Sequence, residues 1–124
     1  MPKALVIDDS KAMRLILARS LTHLGYEVCM AKDGQDALEL LERETPDLSL
    51  LLVDWNMPNM DGLEFVKRLR ANSLYASVPL MMVTTETEVD QMVKALEAGA
   101  NEYVMKPFTD DVIEGKLRLM GVLS

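Results

Sequence analysis

Four sets of polar residues each follow a short apolar run. Asp8 and Asp9 follow "ALVI" (4–7), and Asp54 follows "LSLLLV" (48–53). Thr84 and Thr85 follow "PLMMV" (79–83), and Lys106 with Pro107 follows "EYVM" (102–105). Their side chains suit one chemistry. Carboxylates held close together repel, so at least one tends to stay protonated. A hard divalent cation removes that conflict, and Mg2+ needs only one or two carboxylates because it keeps several waters. No cluster of Cys and His accompanies these acids, which argues against zinc. A carboxylate can be the nucleophile that forms an acyl phosphate, while a lysine and a hydroxyl steady the transferred group. The set points to phosphoryl transfer. Asp54 stands alone before a turn, and the adjacent Asp8 and Asp9 suit metal work. Singly, each has an ordinary reading: Asp9 or Ser10 as a helix cap, Asp54 as a turn cap, Lys106-Pro107 as a turn. Their co-occurrence at the ends of four apolar runs favours function.

The elements that position them are legible in the hydrophobic pattern. Five apolar runs, including "YEVCM" (26–30), alternate with stretches of helical spacing. Residues 11–24 place Met13, Ile16, Leu17, Leu21 and Leu24 on one face, and residues 34–44 place Ala37, Leu38 and Leu41. Residues 62–71 use Leu63, Phe65, Val66 and Leu69, and 87–98 use Val89, Met92, Val93 and Leu96, with Gly99 as the stop. Residues 109–120 carry Val112, Ile113, Leu117 and Met120, and Gly115 inside this stretch weakens it. The pattern predicts βα repeated five times. Unalternated apolar strands fit a parallel sheet buried on both faces, and right-handed crossovers place helices on both sides. The expected fold is a three-layer α/β/α domain over 1–124, with no output domain. Ligands of such sheets bind at the carboxyl ends of the strands, where these polar residues fall.

The bulk numbers read as one ordinary soluble globular domain. The chain has 124 residues, 49% apolar and 27% charged, with net charge −7. That charge disfavours nucleic acid and anionic membrane as partners. No apolar run approaches the roughly 18 residues of a membrane span, and no secretory signal is present, so a cytoplasmic protein is expected. The single Cys29 excludes an internal disulfide and reads as a buried thiol.

The blocks "VIDDS", "LLLVDWNMPNMDGLE", "MMVTTE" and "GANEYVMKPF" resemble the signatures of response regulator receiver domains, in that family's order and spacing. The resemblance covers essentially the whole chain. It implies a five-stranded flavodoxin-like sheet of order 2-1-3-4-5. It implies that Asp54 is the phosphoacceptor, taking a phosphoryl group from a phosphohistidine on a sensor histidine kinase. Asp8 and Asp9 would bind Mg2+ with Asp54, Asn56 would add its backbone carbonyl, and Lys106 would contact the phosphoryl group. Thr84 and Tyr103 would be the switch pair, and Pro107 would follow a cis peptide. A downstream target protein would bind the surface of the fourth helix, fifth strand and fifth helix, where Lys116 falls. Chemotaxis is one of the circuits that stand-alone members serve.

Two departures bear on kinetics and assembly. Thr85 stands where the family usually has alanine or glycine, and a larger residue there would be expected to narrow access to the phosphoryl group and change dephosphorylation rates. "NE" (101–102) precedes Tyr103 where dimerising DNA-binding members often carry paired aspartates, so a monomer is expected. The rival reading is a phosphatase with an aspartate nucleophile. Its general acid belongs two residues after the nucleophile, and Asn56 cannot serve there. A flavin carrier would want hydroxyls and glycines where "DDSKAM" stands. His23 reads as a surface residue.

Overall fold

The computed structural model describes residues 2–85 and 89–123. Strands β1 (Lys3–Ile7), β2 (Glu27–Ala31), β3 (Leu50–Asp54), β4 (Leu80–Thr84) and β5 (Glu102–Met105) alternate with helices α1 (Lys11–His23), α2 (Gly34–Glu44), α3 (Gly62–Arg70), α4 (Val89–Ala98) and α5 (Asp110–Leu119). The sheet is wholly parallel, in the order β2-β1-β3-β4-β5. This is the architecture expected from the hydrophobic pattern, with the strand order that the family resemblance implies. Thr87 and Glu88, assigned to the fourth helix in the sequence reading, lie outside the described residues. No helix among the described residues is long and apolar enough to cross a membrane.

Burial of β3 and β4 is complete along their length, because alternate residues feed two cores. Leu5, Ile7, Leu51, Val53 and Met82 join Phe65, Val66 and Leu69 on one face of the sheet. Val6, Leu50, Leu52, Met81 and Val83 meet Leu17, Leu21, Ile113 and Leu117 on the other. At the sheet edge β2 differs, with Glu27 and Met30 exposed. Cys29 on that strand is half-buried rather than enclosed.

The helix starts follow from capping chemistry. Ser10, not Asp9, caps α1, and Asp33, Asp61 and Thr109 cap α2, α3 and α5. Gly99 closes α4 at φ +124, a conformation open chiefly to glycine.

The inward faces of two helices differ from the expected ones. Ile16 on α1 is 50% exposed, leaving Leu17 and Leu21 as the residues that meet the sheet. On α4 the correction is larger. Val89 is 70% exposed, and Val93 and Leu96 are exposed too, while Ala95 is the buried residue. The helix seats a small side chain in the core and turns its branched residues outward. On α5, Val112 is likewise exposed, beside buried Ile113 and Leu117.

Candidate functional site

Parallel pairing brings the carboxyl ends of β1, β3, β4 and β5 to one edge. Asp54 is the last residue of β3 and Thr84 the last of β4, and Asp54 is in register with Val83. Both side chains are buried, as is Asp8 just past β1. Asp9 beside it is exposed. One carboxylate oxygen from each of Asp8, Asp9 and Asp54 lies within 4.8 Å of the others.

The Lys106 ammonium enters this group from β5. Its Nζ lies 3.1 Å from Asp54 Oδ1 and 3.3 Å from Asp8 Oδ2. The following Lys106–Pro107 peptide is cis. Burial pulls the Lys106 pKa down, but the hydrogen bond from Lys106 to Asp54 and the charges of Asp54 and Asp8 offset this and leave it raised. Asp54 is pushed up as well. Burial is the main cause, and the charges of Asp8 and Asp9 add to it, against the opposing pull of Lys106. One ammonium does not neutralise three acids. A divalent cation with a preference for oxygen ligands fits this donor set: three carboxylates, one of them exposed, without competing imidazole or thiolate in the cluster.

The β3–α3 turn is built around Asp54. The Gly62 N–H donates to Trp55 O at 2.8 Å, folding the chain back on the strand end. A Cβ on Gly62 would lie 2.5 Å from Asp54 O and 2.9 Å from Trp55 Cα, so no side chain fits there. In this turn Asn59 adopts φ +68, in the left-handed region that asparagine tolerates. Asn56, exposed at the mouth, donates from Nδ2 to Thr85 Oγ1 at 3.4 Å, linking the loops after β3 and β4.

Tyr103 lies outside the acid cluster. It pairs with Met82 in the sheet, two strands from Asp54, and its ring is half-buried. Lys116 Nζ stands 5.1 Å from the ring centroid and 3.3 Å from Glu102 Oε1. Two basic residues escaped the sequence reading. Arg14 donates to the Asp8 carbonyl at 2.7 Å. Arg70 donates to Gly99 O, Tyr75 O and Asn101 Oδ1, tying α3 to the turn after α4. Neither forms part of a spacing pattern, and only the fold brings their targets within reach.

An acid cluster with a lysine thus stands at the carboxyl edge of a parallel 2-1-3-4-5 sheet. The chain belongs to the response regulator receiver domain family, whose model matches residues 4–118. Receivers take a phosphoryl group from a histidine kinase and act as signalling switches rather than classical enzymes. They generally bind Mg2+ at an acidic cluster of the kind formed here by Asp8, Asp9 and Asp54. Among relatives, a chemotaxis protein CheY homolog of Campylobacter jejuni is 47% identical over 116 residues, covering 93% of this chain and 88% of that protein. Chemotaxis protein CheY1 of Helicobacter pylori is 44% identical over 119 residues, 95% of each chain. The structure of chemotaxis protein CheY4 of Vibrio cholerae superposes with TM-score 0.88 at 36% identity, covering 99% of both chains.

Proposed function

We propose that Asp54 is the phosphoacceptor of this receiver, in a chemotaxis-type circuit like those named for its relatives. The observation that carries the assignment is a carboxylate 4% exposed at the end of β3, with Lys106 3.1 Å away and two further acids in reach. In the transfer, an Asp54 oxygen attacks phosphorus, the bond from phosphorus to the kinase imidazole nitrogen breaks, and the histidine leaves. Lys106 moves its hydrogen bonds from the carboxylates to a phosphoryl oxygen, and the Thr84 hydroxyl donates to another. In hydrolysis, water attacks phosphorus, the bond to Asp54 oxygen breaks, and orthophosphate departs. Asp8, Asp9, Asp54 and the Asn56 backbone carbonyl would hold Mg2+, which would supply positive charge against the acids and the transferred group. The protein catalyses only this phosphorylation and its reversal by water, and acts on no outside substrate.

The readout surface is the face of α4, β5 and α5. Val89, Val93, Leu96, Met105 and Val112 all expose apolar side chains there, and half-buried Lys116 lies over the Tyr103 ring. A phosphoryl group adds strong acceptors and about one to two negative charges at Asp54. Thr84 and Lys106 are drawn to it, and Tyr103 changes its packing at the adjacent strand, which alters the face that a target protein meets. We place the protein in the cytoplasm, acting as a monomer. Trp55 adjoins Asp54, so its fluorescence reports the site. It should change with Mg2+ and again with a small phosphodonor such as acetyl phosphate. A folded protein that responds to neither contradicts the assignment.

A further inference from the structure

The turn after β1 is held more firmly than its sequence suggests. Arg14 Nη1 donates to the Asp8 carbonyl at 2.7 Å, from a half-buried position on the first turn of α1. That carbonyl and the N–H of Asp9 belong to one planar peptide unit. The rest of Asp8 is engaged as well. Its N–H donates to Ala31 O at 3.2 Å, Oδ1 accepts the Ser10 N–H at 2.9 Å, and Oδ2 accepts Lys106 at 3.3 Å. Asp9 is different. Its exposed side chain makes no hydrogen bond among the described residues, yet one oxygen lies within 4.8 Å of those of Asp8 and Asp54. The direction of the Asp9 carboxylate therefore depends on the peptide plane that carries it, and Arg14 holds that plane.

We propose that Arg14 is a positioning residue for the cation site, fixing the Asp8–Asp9 peptide so that Asp9 is aimed at the ion. The proposal rests on the Mg2+ reading above. A guanidinium beside a cation site has two effects of opposite sign. Its charge repels a divalent cation and weakens binding. Its hydrogen bond preorganises a ligand and strengthens binding. Salt, with a Debye length of about 8 Å at physiological ionic strength, weakens the first only in part for a half-buried group this near the site, and leaves the second intact. The bond is short and charge-assisted, so geometry prevails at ordinary salt. Loss of an outer-shell partner typically weakens metal binding by about one order of magnitude or more.

Mg2+ titration followed by Trp55 fluorescence, at about 0.15 M salt, tests this in the intact chain, with urea unfolding in metal-free buffer to show that each variant is folded. Arg14→Met should raise the Mg2+ dissociation constant about tenfold. Arg14→Lys keeps one donor for the same carbonyl and should recover most of the loss, leaving roughly a two- to threefold deficit because its head is not a planar fork. If Arg14→Met does not fold, the comparison of wild type with Arg14→Lys decides, and equal affinities overturn the proposal. Unchanged or tighter Mg2+ binding in a folded Arg14→Met overturns it too, because only the charge would then be at work. A wild type that ignores Mg2+ overturns the metal reading itself, a result distinct from either of these.

Discussion

The Lys106 ammonium lies 3.1 Å from the Asp54 carboxylate, yet Asp54 holds its proton more tightly than a free aspartate. Burial and the neighbouring acids outweigh the single cation. The site stores electrostatic conflict in the folded state, and it is poised for positive charge to arrive.

That conflict has a defined pH signature. The folded pKa of Asp54 is raised above the ordinary 3.8, so the native state binds more protons than the unfolded state in that window. The resulting stability is fully present below 3.8 and is lost as pH rises through the raised folded value. Asp54→Asn cannot ionise and escapes the loss. In metal-free buffer the variant should match wild type well below pH 3.8 and exceed it at neutrality. Urea unfolding at several pH values measures the gap, and Mg2+ should narrow it. A gap that does not change with pH would show that burial of the carboxylate is not its source.

Gly62 has no room for a methyl group against the Asp54 and Trp55 backbones. Gly62→Ala should destabilise the fold by about 1–3 kcal/mol, because main chain rather than a flexible side chain must move. Phosphate incorporation should fall with it, since the displaced carbonyl belongs to Asp54. Wild-type unfolding midpoints would place the turn elsewhere.

The orientation of α4 can be tested by a contrast on one helix. Val93 is exposed and Ala95 is buried. Val93→Ser should change stability by no more than about 0.5 kcal/mol, whereas Ala95→Leu should cost about 1–3 kcal/mol from overpacking. Denaturation midpoints of the two variants decide, and the reverse order would restore the face expected from periodicity.

Gly115 lies exposed within α5, and a Cβ there meets nothing within 4 Å. Gly115→Ala should stabilise the protein by about 0.5–1 kcal/mol without altering phosphorylation. Thermal unfolding measures the gain. A loss would mean that the helix needs glycine for a reason beyond propensity.

The sheet and the acid cluster were legible because both are written locally. Apolar runs ending in Asp8, Asp54, Thr84 and Lys106 specify which side chains reach the carboxyl edge, once the sheet is parallel. The face of α4 was not legible. Val89, Val93 and Leu96 have the spacing of a core stripe, but periodicity shows only that a stripe exists, not which side the sheet takes. An alanine took the inward position, and which side of a helix turns inward is a tertiary fact. Arg14 and Arg70 were silent for a related reason. Each acts on main-chain carbonyls, and a carbonyl leaves no mark in the sequence.

The central claim is that Asp54 carries the phosphoryl group. Intact mass measurement after incubation with Mg2+ and acetyl phosphate, followed by peptide mapping, tests it most directly. One phosphoryl group per chain on the peptide containing Asp54, lost on mild base treatment and absent from Asp54→Asn, is the predicted result. Equal incorporation in Asp54→Asn, or a modification mapped to another residue, would contradict it.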